Sequence, residues 1–379
     1  MPYWRLSGVY FTYFTVVGAV SPFWALYLAS LGLSASEIGL LAAIPLITKL
    51  ISPNVWGYLA DRTGRELSII RLGAFGGASC FAFLLFREDY LSLAIFISLY
   101  SFFWNAILPQ FETLTLRFLS EEPYRYSKVR VWGSLGFIAS VLGLGYLFDF
   151  YSISLLPLII LIFLSCIFLF SMTLPGLPRT VHPDKLSGFL SLVKQKTTLV
   201  FFLVLFLLQL SHGVYYVFYS IYMESWGFAK STIGWLWALG VVSEIVIFMY
   251  MPRIFHRFSL YSLLTWSLFI TALRWLGIAL VPQYLLCMLI LQVLHAFSFG
   301  VIHAVAIEYL RRSFGPAHQG QAQAFYSAFS FGGGAALGAY LSGLIWDLNS
   351  SLAFILASVV AALGWLGALL FLRNQSHLS

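Results

Sequence analysis

Five charged side chains, Lys49, Glu112, Arg130, Glu244 and Arg274, stand inside long apolar runs, and His295 and His303 lie in a further one. A charge within a bilayer costs several kcal/mol unless it is paired or faces water, so such residues mark solute and ion pathways. Glu112 and Glu244 suit proton carriage, because a carboxyl's proton affinity responds to burial and to a neighbouring arginine. Histidine titrates nearest physiological pH, and helical spacing puts His303 about 80° round from His295, so the two can share a cavity. If all five charges share one cavity, three positive charges face two negative ones, and an organic anion would balance the excess. Two static ion pairs, Glu112 with Arg130 and Glu244 with Arg274, are the plainer reading of the same residues. Arg130 lies two residues beyond Lys128 and also fits a position facing cytoplasm. Lys49 is too far from the helix end for its stem to reach water there, so an interior, water-facing position is expected.

Aromatic and amide groups accompany these charges. Asn105, Pro109 and Glu112 share one helix face, Trp24 and Tyr27 come from the first apolar run, and His212 begins a stripe through Tyr215 or Tyr216, Tyr219 and Tyr222. Trp24, Tyr27, Asn105, His212 and Tyr216 thereby suit binding of a flat, partly polar solute. Helix packing and an interfacial aromatic belt account for the tyrosines equally well.

The elements that must hold these groups are transmembrane helices. The chain has 379 residues, of which 60% are hydrophobic and 9% charged, against roughly 25% charged in a soluble domain. Runs long enough to cross a bilayer fall near 4–31, 37–59, 67–86, 91–119, 128–149, 153–173, 198–226, 230–251, 259–281, 283–307, 318–347 and 350–372. The fold class predicted is an all-α membrane protein of twelve transmembrane helices in two six-helix bundles. An even number of spans puts both termini on one side. With that side cytoplasmic, 17 of the 21 basic residues lie at cytoplasmic ends, Arg179 and Lys185 among them, as the positive-inside rule requires. The expected organisation is a bundle over 1–174, a cytoplasmic linker over 175–197 containing Pro178, Pro183 and Ser187, and a second bundle over 198–379.

The halves repeat. An offset of 195 places Phe23 on Phe218, Tyr27 on Tyr222, Gly32 on Gly227 and Gly39 on Gly234, and an offset of 198 places Gly136 on Gly334 and Asp149 on Asp347. Such a repeat implies a pseudo-two-fold axis along the membrane normal, with substrate expected between the halves. Gly136, Ser140 and Gly143, with Gly334, Gly338 and Ser342, read as surfaces for close helix packing.

Other classes find no support. The net charge of +7 sits in short loops and forms no basic stripe, so no nucleic-acid partner is expected. Cys80, Cys166 and Cys287 are odd in number and have no metal-ligand spacing. Residues 1–5 lack a signal-peptide cleavage pattern, and the run after them reads as the first span. No nucleophile elbow or phosphate loop points to an enzyme. The expected partners are a small-molecule substrate, protons and membrane lipids, the proton is the coupling ion with no cofactor, and the protein is read as a monomer.

Between the second and third spans the residues Gly57-Tyr58-Leu59-Ala60-Asp61-Arg62-Thr63-Gly64-Arg65 resemble the loop signature of the major facilitator superfamily. Gly57 would permit close helix approach, Gly64 a tight turn, and Asp61 a latch to a helix N-terminus or an arginine, with Arg117 the candidate partner. Glu66 departs from the family's usual basic residue, and the second-half counterpart carries His256 in place of the aspartate. Further segments, Ser21-Pro22-Phe23-Trp24, Tyr126 to Ser134, Leu208-Gln209 with His212, Gly240 to Glu244, Arg274-Trp275 and Gln292 to His295, resemble the proton-coupled permeases of the lactose and nucleoside type, above all the bacterial phenylpropionate permeases. That resemblance implies a major facilitator fold in the bacterial inner membrane. It also implies substrate contacts at Glu112 and Arg130, and proton coupling through Glu244, Arg274 and His295. The lactose type has a further tenth-span carboxylate with no clear match here, since Glu308 lies near the cytoplasmic end and His303 deeper.

The function expected is symport of an aromatic carboxylate with a proton by alternating access. A sugar or nucleoside symporter is the alternative, ahead of proton-coupled drug efflux or a non-transporting sensor.

Overall fold

In the computed structural model the described residues are 2–119, 125–178 and 189–373. Among them, twelve helices are long and apolar enough to cross a membrane: α1 Tyr3–Ser30, α2 Ala35–Thr63, α3 Glu66–Leu85, α4 Tyr90–Phe118, α5 Tyr126–Phe150, α6 Ile153–Met172, α7 Lys196–Ser225, α8 Lys230–Arg257, α9 Leu260–Leu280, α10 Leu285–Gly315, α11 His318–Trp346 and α12 Ser350–Phe371. Of the expected linker, a short helix covers Phe189–Val193, while Arg179, Pro183, Lys185 and Ser187 lie outside the described residues. The chain divides into two compact units, one comprising Met1–Pro183 with Phe228–Trp235 and the other Asp184–Gly227 with Leu236–Ser379.

Helix ends are set by local chemistry. Ser34 and Glu37 form a reciprocal capping box at the start of α2, which satisfies backbone donors that the first turn leaves unpaired. Asp89 caps α4 by accepting from Ser92 N–H at 3.0 Å, Ser259 caps α9 and Asn349 caps α12. Gly64 ends α2 at φ +60°, a left-handed conformation that favours glycine. Gly32 and Gly227, matched by the repeat, both turn at positive φ.

Within each unit the same packing recurs. In the first, α1 packs on α5 and α6, and α3 on α4 and α6; in the second, α7 packs on α11 and α12, and α9 on α12. One pair of close approaches obeys the repeat. A Cβ on Gly136 of α5 would fall on the Phe11 carbonyl of α1, and a Cβ on Gly334 of α11 would lie 2.7 Å from the Phe206 carbonyl of α7. Phe206 and Phe11 differ by 195 and Gly334 and Gly136 by 198, the offsets legible in the sequence. Backbone cannot yield as a side-chain tip can, so glycine is required at both crossings. Gly143, predicted to share this seam, has open space around it.

The second unit departs from α-helical geometry twice, with π turns at Ala296–Val301 in α10 and Ser327–Gly334 in α11. A π turn inserts one residue, breaks the 100° phase and alters which carbonyls stay inside the helix.

Candidate functional site

The first unit gathers its interior charges around α5. Arg130 Nε lies 3.9 Å from Glu112 Oε1 of α4, and the two side chains keep 31% and 39% of their surface exposed, a loose pair open to a ligand. The guanidinium rests over Phe14 of α1 at 4.1 Å from the ring centroid, with Tyr10 at 5.5 Å. A cation on an aromatic face is held without using its hydrogen-bond donors. Arg130 is thus turned inward among α1 and α4. Tyr126, one helical turn before Arg130, donates to Glu112 Oε1 at 3.4 Å, and Lys49 of α2 acts electrostatically on the same carboxylate. Beside this cluster Tyr13 stacks on Trp104, 4.1 Å between centroids and 11° between planes.

The other predicted contacts of this unit lie around or away from that cluster. Asn105 donates to the Pro45 carbonyl and to Thr48 Oγ1, each at 3.0 Å; it ties α4 to the stretch of α2 that carries Lys49. Trp24 packs on Tyr27 and Phe81, about 15 to 20 Å further along α1 than Phe14 at 1.5 Å per residue.

In the second unit Glu244 of α8 pairs with His295 of α10, Oε1 to Nε2 at 2.7 Å. Arg274 of α9 goes elsewhere: Nε donates to the Leu291 carbonyl at 2.8 Å, Nη1 to Ser298 Oγ at 3.1 Å and Nη2 to Gln292 Oε1 at 3.1 Å. It is fully buried between the faces of Tyr215 and Trp275, and Tyr215 also donates to Gln292 Oε1. In place of the static Glu244–Arg274 pair of the plainer reading stand an arginine anchored to the start of the α10 π turn and a separate carboxylate–imidazole contact. His295 and His303 each stack on Phe299, at 5.7 and 5.9 Å, so one aromatic ring links the two histidines.

The α7 stripe is core. His212, Tyr215, Tyr219 and Tyr222 are buried; His212 Nδ1 hydrogen-bonds the Leu208 carbonyl at 2.8 Å, and its ring meets Trp275 edge-on. Tyr216, stacked on His212, is the stripe member that keeps partial exposure.

The motif after α2 differs from expectation in its partners. Arg117 pairs with Glu66 at 2.6 Å and donates to the Pro178 carbonyl, whereas Asp61 is exposed in the last turn of α2. Glu66 begins α3, where a carboxylate is favoured by the helix dipole, and it buries there. The residue that departs from the family pattern thus takes the arginine expected for Asp61. Arg62 donates to Tyr58 at 3.2 Å and Arg65 is exposed. At Gly57 an added Cβ would meet Gln110 Nε2 at 3.9 Å, ordinary contact that does not require glycine. Sequence reasoning did not single out Tyr10, Phe14 and Trp104 for the Arg130 cluster, nor Gln292 and Ser298 for Arg274. Tyr126 carried a signal, four residues before Arg130 on one helix face, and Gln292 stood within a segment that resembles the permeases.

Comparison with known proteins agrees with this architecture. The chain is 28% identical over 368 residues, 94% of each protein, to a probable 3-phenylpropionic acid transporter of Escherichia coli (strain K12). It is 27% identical to the maltose permease of Geobacillus stearothermophilus, covering 97% of this chain and 93% of that one. The crystal structure of the nucleoside transporter NupG superposes with a TM-score of 0.88 at 17% identity, over 99% of this chain and 100% of that one, a likeness of fold. The model of the MFS_1 like family matches residues 3–356, and with its twelve spans the chain belongs to this family as a multi-pass membrane transporter of the major facilitator fold, not an enzyme.

Proposed function

We propose that the protein is a proton-coupled symporter of a small aromatic carboxylate, set in a bacterial inner membrane with both termini cytoplasmic and working by alternating access. The observation that carries this reading is Arg130, whose guanidinium lies on Phe14 and is only loosely engaged by Glu112 at 3.9 Å. A carboxylate can take its open donors as a charge-assisted, two-point hydrogen bond. The Tyr13–Trp104 stack offers an aromatic wall for the ring, and the similarity to a probable 3-phenylpropionic acid transporter points the same way. Glu244, in contact with His295, is the candidate proton carrier, since carboxylate and imidazole can share or release one proton as the solute changes the local field.

A sugar is the second reading. Glu112 already offsets part of the Arg130 charge, and a carboxylate–guanidinium pair can receive hydroxyl groups; the maltose permease relative favours this arrangement.

Uptake into proteoliposomes under an inward proton gradient separates the two. Labelled 3-phenylpropionate should accumulate and a protonophore should abolish accumulation, with maltose and nucleosides inert. Gradient-driven uptake of maltose and none of any carboxylate would overturn the first reading in favour of the second.

A further inference from the structure

We infer that Gly133 is a specificity-determining position: by lacking a side chain it seats the Arg130 guanidinium on Phe14, and so sets the preference for a carboxylate over a neutral solute. This rests on the aromatic-carboxylate reading above. Gly133 lies one turn after Arg130 on α5. A Cβ there would sit 2.7 Å from Arg130 Nη1 and 2.7 and 3.2 Å from Phe14 Cδ2 and Cε2. The space a methyl group would need is therefore the space in which the guanidinium and its aromatic seat meet. No backbone atom is among these nearest neighbours, unlike at Gly136, where the obstacle is the Phe11 carbonyl.

That difference decides what a substitution does. At Gly136 the helices themselves must part. At Gly133 the obstacles are two side chains, the far end of Arg130 and the ring of Phe14, which can shift by rotamer changes at a smaller cost to folding than parting backbones. An alanine would lift Arg130 off Phe14 and leave the helix intact. Phe14 matters for the same reason from the other side, since its face fixes the height of the guanidinium above α1. Two-point recognition of a carboxylate depends on that placement, because the guanidinium fork is planar and fixed in geometry. A neutral amide of the same shape draws much less from it.

The test compares 3-phenylpropionate with 3-phenylpropionamide, the amide serving as a competitor of labelled acid uptake, in wild type, Gly133→Ala, Phe14→Leu and Gly143→Ala. Gly143 is on the same helix with nothing within 4 Å of an added Cβ. Wild type and Gly143→Ala should prefer the acid. Gly133→Ala should fold with a melting temperature close to wild type and lose about tenfold or more of that preference, the order expected for a charge-assisted contact. The loss should come from weaker acid binding with amide binding retained. Phe14→Leu should shift preference in the same direction and keeps the test open if Gly133→Ala does not fold. Equal weakening of acid and amide, or unchanged preference in both variants, overturns the role given to Gly133. If wild type itself fails to prefer the acid, the carboxylate reading has failed instead.

Discussion

At the scale of single residues, the two units handle charge differently. Arg130 is half-open, on an aromatic ring and beside a carboxylate at 3.9 Å, which is how a ligand-binding cation is kept available. Arg274 is fully buried with its donors committed to Leu291, Gln292 and Ser298, which is how a cation is used to hold helices in place. Substituting the two arginines should therefore read out differently. Arg130→Ala should raise KM about 10- to 100-fold, the worth of hydrogen bonds to a charged group, with maximum rate and melting temperature little changed. Arg274→Ala removes the hydrogen bonds to Leu291, Gln292 and Ser298 and opens a cavity between Tyr215 and Trp275, a loss of about 3 kcal/mol or more by the usual worth of hydrogen bonds to a charged group and of a large-to-small core change, seen as poor recovery from detergent. Glu244→Gln keeps the size of the side chain that meets His295 but removes its titration. It should retain exchange of solute across the membrane and lose accumulation against a gradient; unchanged accumulation would remove Glu244 from the proton path.

At the scale of elements, α1 with α5 and α7 with α11 are fastened by glycine at equivalent crossings. Gly136→Ala and Gly334→Ala should each lower the melting temperature, by overpacking worth about 1–3 kcal/mol, while Gly143→Ala should leave it unchanged or raise it slightly through helix propensity. A small-residue seam in the sequence thus contains both obligatory and dispensable glycines, and only the neighbouring backbone tells them apart. The α4 cap gives a pH-dependent counterpart outside the membrane spans. By accepting from Ser92 N–H, Asp89 is held below the ordinary carboxylate range. A depressed native pKa adds stability above the unfolded value of about 4 and loses it as pH falls through the native one. Asp89→Ala should lower the melting temperature at neutral pH, with the gap to wild type closing as the solution is acidified below about pH 4.

At the scale of the whole molecule, the arrangement of basic residues makes a prediction about orientation. With Cys80, Cys166 and Cys287 replaced by serine, a cysteine at Glu88 should react with an impermeant thiol reagent in intact cells. One at Arg253 should react only after permeabilisation, and the opposite pattern would reverse the topology. The sequence by itself determined the twelve spans, the repeat and the family, because each follows from properties that add along the chain: apolar length, similarity at a fixed offset, and a loop motif of fixed spacing. It also brought Glu112 and Arg130 forward, since a charge in an apolar run is conspicuous wherever it folds. Tertiary structure decided the partners. Glu244 meets His295 rather than Arg274, because the donors of Arg274 are already taken by Leu291, Gln292 and Ser298. Arg117 meets Glu66 rather than Asp61, because a partner is chosen by which helix end lies within reach. Phe14 carried no signal in sequence, and Gly133 stood only within the Tyr126 to Ser134 resemblance with no role of its own, for a phenylalanine and a glycine are ordinary in any transmembrane helix. Their part in the Arg130 seat exists only where α1 and α5 cross.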